Sequence, residues 1–373
     1  MTETEVLATT PGLFPLPDWA KEELSDLKGH QKDDLIAGDE TGAVVDAYER
    51  ARREVVERQE AAGLARIVEG QLRWDDMIAH PLCVHDSVET RGIVRYYDNN
   101  NFYREPVVRG ELTFDGDVAA ELDAAPGATQ AVLPGPYSLF DLATDEYYGD
   151  DAEFLAAVAD FLAGEVEALP DVETLFLLEP SLVENPPGDG LDARASEAID
   201  RVAAAARNGC GATAGDGSQA TAGDGSQATA GDGSQATAGD GPGDGAGDSE
   251  RPDVVVHTYW GAIPEKPYAH LMDADVDAIG FDFVADHERN LYNIQEYGTK
   301  SSIALGVVDG QNTLVETPAE IAERVDWVRE NVPAQSFERI YATVNTELYY
   351  LPYSKFEAKL DALAGVATQE VDA

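Results

Sequence analysis

Eight short β-rich runs, most of them separated by segments with helical periodicity, limit most strongly how this chain can fold. The runs are VLATT (6–10), LARIVEG (64–70), QAVLPG (130–135), TLFLLEP (174–180), DVVVHTY (253–259), VDAIGFDF (276–283), SSIALGV (301–307) and RIYATVN (339–345). Helical periodicity is present at 41–63, 152–167, 193–207, 318–331 and 354–363. Strands that alternate with helices favour a parallel sheet, and eight of them predict one α/β domain over residues 1–373, a (β/α)8 TIM barrel.

Two segments interrupt this alternation. From Ala212 the unit ATAGDGSQ occurs three times in succession, and residues 211–250 contain almost nothing apolar to bury. We therefore expect a disordered insert there. It follows a helix and precedes a strand, which places it on the face of the barrel away from chemistry. A calcium-binding β-roll is disfavoured because that repeat needs a large apolar residue in each unit.

The second interruption, residues 91–114, has two β-rich arms around the turn-prone tetrapeptide DNNN and predicts a long hairpin. The hairpin is rich in aromatic side chains, namely Tyr96, Tyr97, Phe102 and Tyr103. They are suited either to stacking on a flat ligand or a partner chain, or to packing back on the barrel. The sequence leaves these two interpretations open.

The charge of the chain excludes some classes of partner. Its 72 acidic residues against 25 basic ones give a formal net charge of −47. Direct binding to nucleic acid or to an anionic membrane is not expected, since both depend on Lys and Arg. Acidic side chains occur in every segment, which indicates a halophilic surface adapted to high salt, where repulsion is screened. An acidic surface that meets a basic partner is the alternative.

No run of about 18 apolar residues occurs, and the start, MTETEVLATTPG, lacks the basic and apolar regions of a leader, so a cytoplasmic protein is expected. The two cysteines, Cys83 and Cys210, have no CxxC spacing, so neither a disulfide framework nor a cysteine-rich zinc site is predicted. Cys83-x-His85-Asp86 has donor atoms close in sequence but no partners at zinc-site spacing.

Candidate functional side chains stand where strands end, because barrel enzymes carry their chemistry at the carboxyl ends of their strands. His257 ends the apolar run VVV, and Glu179 ends another strand. Glu347 follows the last predicted strand. Both glutamates could serve as general bases, or equally as salt-bridged loop residues. After the second strand, Arg73, Trp74 and Asp75 form a polar, aromatic cluster suited to a ligand that carries a carboxylate.

A series of short motifs runs along the chain: ATTPGLFPLP (8–17), EGQLRWDDM (69–77), LPGPYSL (133–139), LLEPSL (177–182), the strand that ends at His257, DAIGFDF (277–283), GVVDGQN (306–312) and VNTEL (344–348). These motifs and their order resemble cobalamin-independent methionine synthase. The likeness covers nearly the whole chain apart from the repeat and corresponds to the family's catalytic barrel or its short archaeal form. It implies methyl transfer from a methyl-folate, or from a methyl-corrinoid, to the thiol of homocysteine.

The resemblance also implies a zinc site, which this sequence retains only in part. The family binds zinc through His, Cys, Glu and Cys, so that the metal presents a thiolate as nucleophile. Those positions fall on His257, Tyr259, Asp282 and Leu348. Only His257 and Asp282 can still coordinate, whereas catalytic zinc sites normally have at least three protein ligands. Zinc is therefore not expected, and the site is predicted to be degenerate.

This sequence also differs from the family at the residues that contact the substrate. Its glycine–serine pair corresponds to Gly12 and Leu13, and the acids that hold the amino group of homocysteine correspond to Gln71 and Leu178. What remains for catalysis is His257, Asp282 and Glu179. The candidate contacts for a small-molecule substrate are Gln71, Arg73, Trp74, Asp76 and Glu347.

Three functions fit these residues. The first is a protein of methionine biosynthesis that binds the methyl donor or forms the non-zinc subunit of an enzyme with a zinc-bearing paralogue. The second is a divergent methyltransferase with a changed acceptor. The third is a non-catalytic binding or scaffold barrel. Whether the isolated chain is an enzyme is left open by the sequence.

Overall fold

The architecture was obtained from a computed structural model, which describes residues 4–25, 31–37, 39–96, 102–188, 190–209, 251–332 and 336–367. The helices of these ranges are α1 (Asp18–Ser25), α2 (Gln31–Ala37), α3 (Gly42–Ala62), α4 (His80–Cys83), α5 (Asp117–Asp123), α6 (Pro136–Leu142), α7 (Asp151–Glu167), α8 (Ser181–Glu184), α9 (Asp192–Gly209), α10 (Glu265–Asp273), α11 (His287–Tyr297), α12 (Pro318–Asn331) and α13 (Tyr353–Ala367). The strands are β1 (Glu5–Ala8), β2 (Val88–Arg95), β3 (Phe102–Val108), β4 (Gln130–Pro134), β5 (Thr144–Asp145), β6 (Thr174–Leu178), β7 (Asp253–His257), β8 (Ala278–Asp282), β9 (Ser302–Val308) and β10 (Arg339–Val344). None of these helices is long and apolar enough to cross a membrane.

Seven strands form one parallel sheet in the order β1-β10-β9-β8-β7-β6-β4. Apart from β1 and the first residues of β7 and β10, these strands are buried along their whole length, because apolar and β-branched residues occupy both faces. Helices cover the outer face; in α3, for example, Val44, Ala47, Ala51 and Val55 are buried at spacings of three and four. The predicted alternation of strands and helices is confirmed as an α/β fold.

The sheet is curled, and its two edge strands are linked by side-chain hydrogen bonds. Gln130, the first residue of β4, accepts from Thr9 Oγ1 at 2.7 Å and donates to Thr10 O at 2.8 Å, just beyond β1. The predicted strand 64–70 lies between these edges: Ala65 N–H donates to Ala8 O, and Ile67 O accepts from Gln130 N–H. However, the ladder there is a single bridge, Val68 to Gln130. A curled, barrel-like parallel sheet is observed, and the predicted closed eight-stranded barrel is not confirmed.

The excursion predicted at 91–114 contains strands β2 and β3, which pair antiparallel, and β5 pairs with β3 in a small second sheet. Of its four aromatic residues, Tyr96 is fully buried and its ring lies 4.5 Å from that of Tyr103, whereas Phe102 is 48% exposed. One end of the hairpin thus packs back on the barrel. Tyr97, the whole DNNN turn (98–101), Cys210 and the insert 211–250 lie outside the described residues.

Candidate active site

The carboxyl ends of the central strands bring several of the predicted residues together. His257 ends β7 and Asp282 ends β8, and these two strands are neighbours in the sheet. Glu179 follows β6, which pairs with the other side of β7. All three side chains are fully buried. The fold therefore places a histidine and two carboxylates at the end of the sheet where barrel proteins carry their chemistry.

His257 is enclosed by its neighbours. Its Nε2 lies 3.3 Å from the backbone oxygen of Asn345, which fixes Nε2 as the protonated nitrogen. Its Nδ1 is buried with no hydrogen-bond partner, and a Cβ at Gly280 would lie 2.2 Å from it. Burial lowers the pKa of His257 to about 4, so the imidazole is neutral at physiological pH. Because the ring packs closely on Gly280, the unprotonated Nδ1 faces the backbone of β8.

Asp282 has both of its carboxylate oxygens occupied by N–H donors. Oδ1 accepts from the backbone amides of Val284 at 3.0 Å and Ala285 at 2.8 Å, and Oδ2 accepts from that of Trp260 at 2.9 Å. The amide Nδ2 of Asn345 lies 3.1 Å from both oxygens. Burial raises the pKa of Asp282, and these hydrogen bonds oppose the shift. The carboxylate is therefore used to hold the loop after β7 and the turn after β8.

Glu179 caps the helix that follows β4. Its Oε1 accepts from the backbone amide of Tyr137 at 3.0 Å, and its Oε2 accepts from the amide and the hydroxyl of Ser138 at 2.8 and 2.7 Å. Gly135 makes room for it, since a Cβ there would lie 2.1 Å from the carboxyl carbon. Burial raises the pKa of Glu179 to about 7. A carboxylate at the first turn of α6 satisfies amides that would otherwise lack partners.

Gln71 joins two strand ends by its side-chain amide. Its Oε1 accepts from the backbone amide of Leu13 at 2.7 Å, and its Nε2 donates to Val132 O at 3.3 Å. Gly12 must be glycine here, because a Cβ would lie 1.9 Å from Gln71 Oε1 and the backbone φ is +81°. Leu13 O in turn accepts from the amide of Leu348 at 3.3 Å. Two positions where the family has a hydroxyl and a thiol thus meet as buried leucines, Leu13 and Leu348.

Tyr259 and Glu347 lie in the same buried region. The Tyr259 ring packs edge-on against His257 at 5.3 Å, and its hydroxyl is buried with no hydrogen-bond partner. The carboxylate of Glu347 accepts from Thr346 Oγ1 and from Gln311 Nε2. Burial, reinforced by the charge of Glu347, raises the pKa of Tyr259 well above its usual value, and burial raises that of Glu347 to about 7. Tyr259 is therefore neutral at physiological pH, whereas Glu347 gains or loses its proton near neutrality.

The polar cluster after the second predicted strand is also engaged within the chain. Arg73 pairs with Glu40 at 2.8 Å. Trp74 is buried, and Asp76 Oδ1 accepts from the amides of Ile78 and Ala79 and from the hydroxyl of Tyr96. As candidate substrate contacts, Gln71, Arg73, Trp74, Asp76 and Glu347 stay predictions. His85, in the Cys83-x-His85 pair, contacts Thr113 O and the amide of Ser87.

A zinc ion does not fit the residues at the family's position. Tyr259 and Leu348 supply no thiolate, the carboxylate of Asp282 is saturated by N–H donors, and His257 alone would remain. In the part of the chain that the structure describes, one group of three His, Cys, Asp or Glu side chains has ligand atoms within 4.8 Å of one another, and it is His80, Asp117 and Glu121. Neither His257 nor Asp282 belongs to it.

Asn345 was missed by sequence reasoning, although it lies inside the motif VNTEL. Its amide nitrogen binds Asp282, its side-chain oxygen accepts from the amide of Gly310 at 2.9 Å, and its backbone oxygen binds His257. It thereby ties together the ends of β7, β8, β9 and β10. The signal available in the sequence was its position: like His257, Asn345 is a polar residue at the carboxyl end of a buried strand.

A curled parallel sheet with a buried polar centre at its carboxyl ends defines a barrel-like α/β protein of the kind that carries catalytic sites at that end. Comparison with known proteins narrows this class. A family model described as cobalamin-independent synthase, N-terminal domain, matches residues 246–333, the segment that contains His257 and Asp282. In sequence over part of its length, and in fold over nearly all of it, the chain is similar to cobalamin-independent methionine synthases.

Curated relatives and solved structures agree with this. The 5-methyltetrahydropteroyltriglutamate–homocysteine methyltransferase of Bacillus subtilis is 30% identical over 105 residues, 28% of this chain and 13% of that protein. The methionine synthase of Sulfolobus acidocaldarius is 23% identical over 177 residues, 46% of this chain and 50% of that protein. The matches span half or less of these relatives' own length. The B12-independent methionine synthase from Shewanella sp. W3-18-1 has the same fold, with a TM-score of 0.66 at 15% identity over 98% of this chain and 97% of that one. The resemblance inferred from the motifs is confirmed.

Proposed function

We propose that this chain is a methionine-synthase-related barrel that takes part in methyl transfer to homocysteine without activating the thiol itself. It would act as the non-zinc subunit, or methyl-donor-binding partner, of a zinc-bearing paralogue. The donor, methyl-folate or methyl-corrinoid, stays a prediction from the resemblance. The proposal includes a degenerate zinc site, a halophilic surface, and a closed (β/α)8 barrel in which segment 64–70 serves as the eighth strand.

One observation carries the proposal: the polar side chains near the carboxyl ends of the strands are hydrogen-bonded within the chain. Asp282, Glu179 and Gln71 each spend their hydrogen-bonding capacity on backbone amides or carbonyls of this chain, and all three are at most 4% exposed. A site that binds and activates a thiol needs an open coordination position and acids directed at the substrate. Side chains that are already hydrogen-bonded within the chain favour a barrel that has a structural or binding role and does not activate a thiol.

The extent of the family match supports the same proposal. The matched family model describes one domain of the synthase. The resemblance implies that the full-length family enzyme pairs a catalytic barrel with a second, degenerate barrel. A chain of one barrel that has lost thiol-activating groups is what a split form of that enzyme would contain. By this analogy the missing half carries the zinc.

The test is reconstitution. This chain and a zinc-bearing paralogue from the same source are purified in high salt, and methionine formation from methyl-folate and homocysteine is measured for each alone and for the mixture. We expect the two chains to co-purify and the mixture to exceed the paralogue alone by at least about tenfold. A paralogue whose activity and gel-filtration volume are unchanged by this chain would refute the partner role.

A divergent methyltransferase is favoured by one further observation. Tyr259 has an unpartnered buried hydroxyl and lies beside His257, which has an unpartnered buried nitrogen. Unsatisfied polar groups are costly and cluster at functional sites. Methyl transfer by the isolated chain to an acceptor other than homocysteine, lost in Tyr259→Phe, would establish this alternative. A scaffold protein would show neither turnover nor a melting temperature that any small ligand shifts.

A further inference from the structure

A second set of metal-ligating side chains lies away from His257, on the segment after 64–70 and on α5. His80 Nε2 is 3.1 Å from Asp117 Oδ2, and the ligand atoms of His80, Asp117 and Glu121 all lie within 4.8 Å of one another. Asp117 and Glu121 are four residues apart, so one turn of α5 presents both carboxylates on the same side. Ligand atoms around one Zn²⁺ at about 2.0–2.2 Å would be separated by roughly 3.3 Å, so small side-chain adjustments would bring these three into range.

The ligands are held from behind by one aromatic residue. The Trp74 ring stacks on His80 with centroids 4.9 Å apart, and its indole N–H donates to Glu121 Oε2 at 3.2 Å. His80 and Trp74 are buried, whereas the Asp117 side chain is 28% exposed. Groups that orient a ligand from behind are characteristic of metal sites, and the exposed edge at Asp117 gives an ion a route in.

Carboxyl groups outnumber cationic groups around this cluster. Among the described residues, the buried guanidinium that contacts it is that of Arg52, at 3.1 Å from Glu69 Oε2 and 3.8 Å from Glu121 Oε1. The neighbouring Arg73 is paired with Glu40. The carboxylates of Glu69 and Glu121 lie against the Arg52 guanidinium, and that of Asp117 lies beside Glu121 and His80. A divalent cation would favour the ionised form of these carboxylates and offset their charge.

We propose that His80, Asp117 and Glu121 form a binding site for a first-row divalent metal ion of the Zn²⁺ type. Imidazole together with carboxylates is a ligand set that Zn²⁺ accepts, and three protein ligands leave a position for water. This site is separate from the family's metal position, and it stands whether or not the proposed partner role is correct.

The test uses Co²⁺ as the probe, because its visible absorption reports direct coordination. The full chain is stripped with chelator, dialysed in high salt, which suppresses loose binding to surface carboxylates, and titrated with Co²⁺ and then with competing Zn²⁺. We expect one Co²⁺ per chain, displaced by Zn²⁺. Asp117→Asn and His80→Gln should each weaken binding at least about tenfold. Asp86→Asn, the same change at an exposed position, should not alter it.

Two outcomes would overturn the inference. Absence of Co²⁺ absorption at millimolar concentration, with the variants and the parent equally folded by circular dichroism, would show that no metal binds there. Binding that survives Asp117→Asn and His80→Gln but is lost in His257→Ala would place the metal at the strand ends. The second outcome would also contradict the proposed function, whereas the first would leave it standing.

Discussion

At the scale of single residues, the position of His257 depends on a glycine in the neighbouring strand. Gly280 has ordinary backbone geometry, yet a Cβ there would lie 2.2 Å from His257 Nδ1 and 3.1 Å from its Cα. The imidazole therefore occupies the volume that any other residue at position 280 would fill.

This packing predicts the effect of Gly280→Ala. The added methyl group overpacks the core, and we expect a loss of about 1–3 kcal/mol in the free energy of unfolding, measured by denaturant titration in high salt. Gly188→Ala is the control, since nothing lies within 4 Å of a Cβ at that position. The double variant Gly280→Ala/His257→Ala should recover part of the loss, and strictly additive effects would contradict this packing.

A second residue-scale prediction concerns pH. Burial raises the pKa of Glu347 from 4.5 to about 7, so the folded chain holds this proton more tightly than the unfolded chain does. The stability gained is fully present below about pH 4.5 and is lost as the pH rises through about 7, by up to about 3 kcal/mol. Glu347→Gln should remove this component of the pH dependence, and Glu57→Gln, an exposed glutamate on α3, should not. Parallel pH profiles for parent and Glu347→Gln would refute it.

At the scale of elements, the junction between β4 and α6 depends on a short polar chain. Glu179 accepts from Ser138 Oγ at 2.7 Å, and that oxygen accepts from the amide of Ser181 at 3.0 Å, so one hydroxyl connects the starts of α6 and α8. The junction is completely buried, which makes any unsatisfied atom there costly.

Ser138→Ala should therefore destabilise the chain by about 1–3 kcal/mol, because it leaves one oxygen of a buried carboxylate and one buried amide with fewer partners. Thermal unfolding in high salt measures the effect. Ser25→Ala is the matched control, since that hydroxyl donates to Glu22 O at an exposed position. Equal melting temperatures for Ser138→Ala and Ser25→Ala would argue against the capping role of Glu179.

Elements were more predictable from the sequence than site roles. Buried apolar runs and spacings of three and four residues located β7 and α3 to within a few residues, because burial of whole faces imposes those periods. The sequence of segment 64–70 predicts a strand as clearly as that of β7 does. In the structure its backbone makes only one bridge, and the local sequence pattern gives no sign of this difference. Asp282 and Glu179 were located correctly at strand ends, yet their partners are backbone amides brought in by remote segments. Hydrogen bonds over such sequence separations leave no periodic signal.

At the scale of the whole molecule, the formal net charge is −47 on 373 residues. Electrostatic repulsion is therefore the contribution to the free energy of unfolding that depends most on salt concentration. At low ionic strength this repulsion acts over tens of ångströms, whereas at molar salt it is screened within about 3 Å. We expect the chain to unfold cooperatively when salt is lowered from about 3 M to about 0.1 M, monitored by circular dichroism. A folded chain with an unchanged melting temperature in dilute buffer would contradict the halophilic interpretation.

The proposed function requires that this barrel does not activate homocysteine by itself, because the polar side chains near its strand ends are hydrogen-bonded within the chain. The most direct measurement is turnover of homocysteine by the isolated chain in high salt, with added Zn²⁺ and with either methyl-folate or a methyl-corrinoid as donor. The account predicts no methionine above the protein-free background. Turnover that depends on Zn²⁺ and is lost in His257→Ala would contradict it, since it would require a thiol-activating centre at the end of β7.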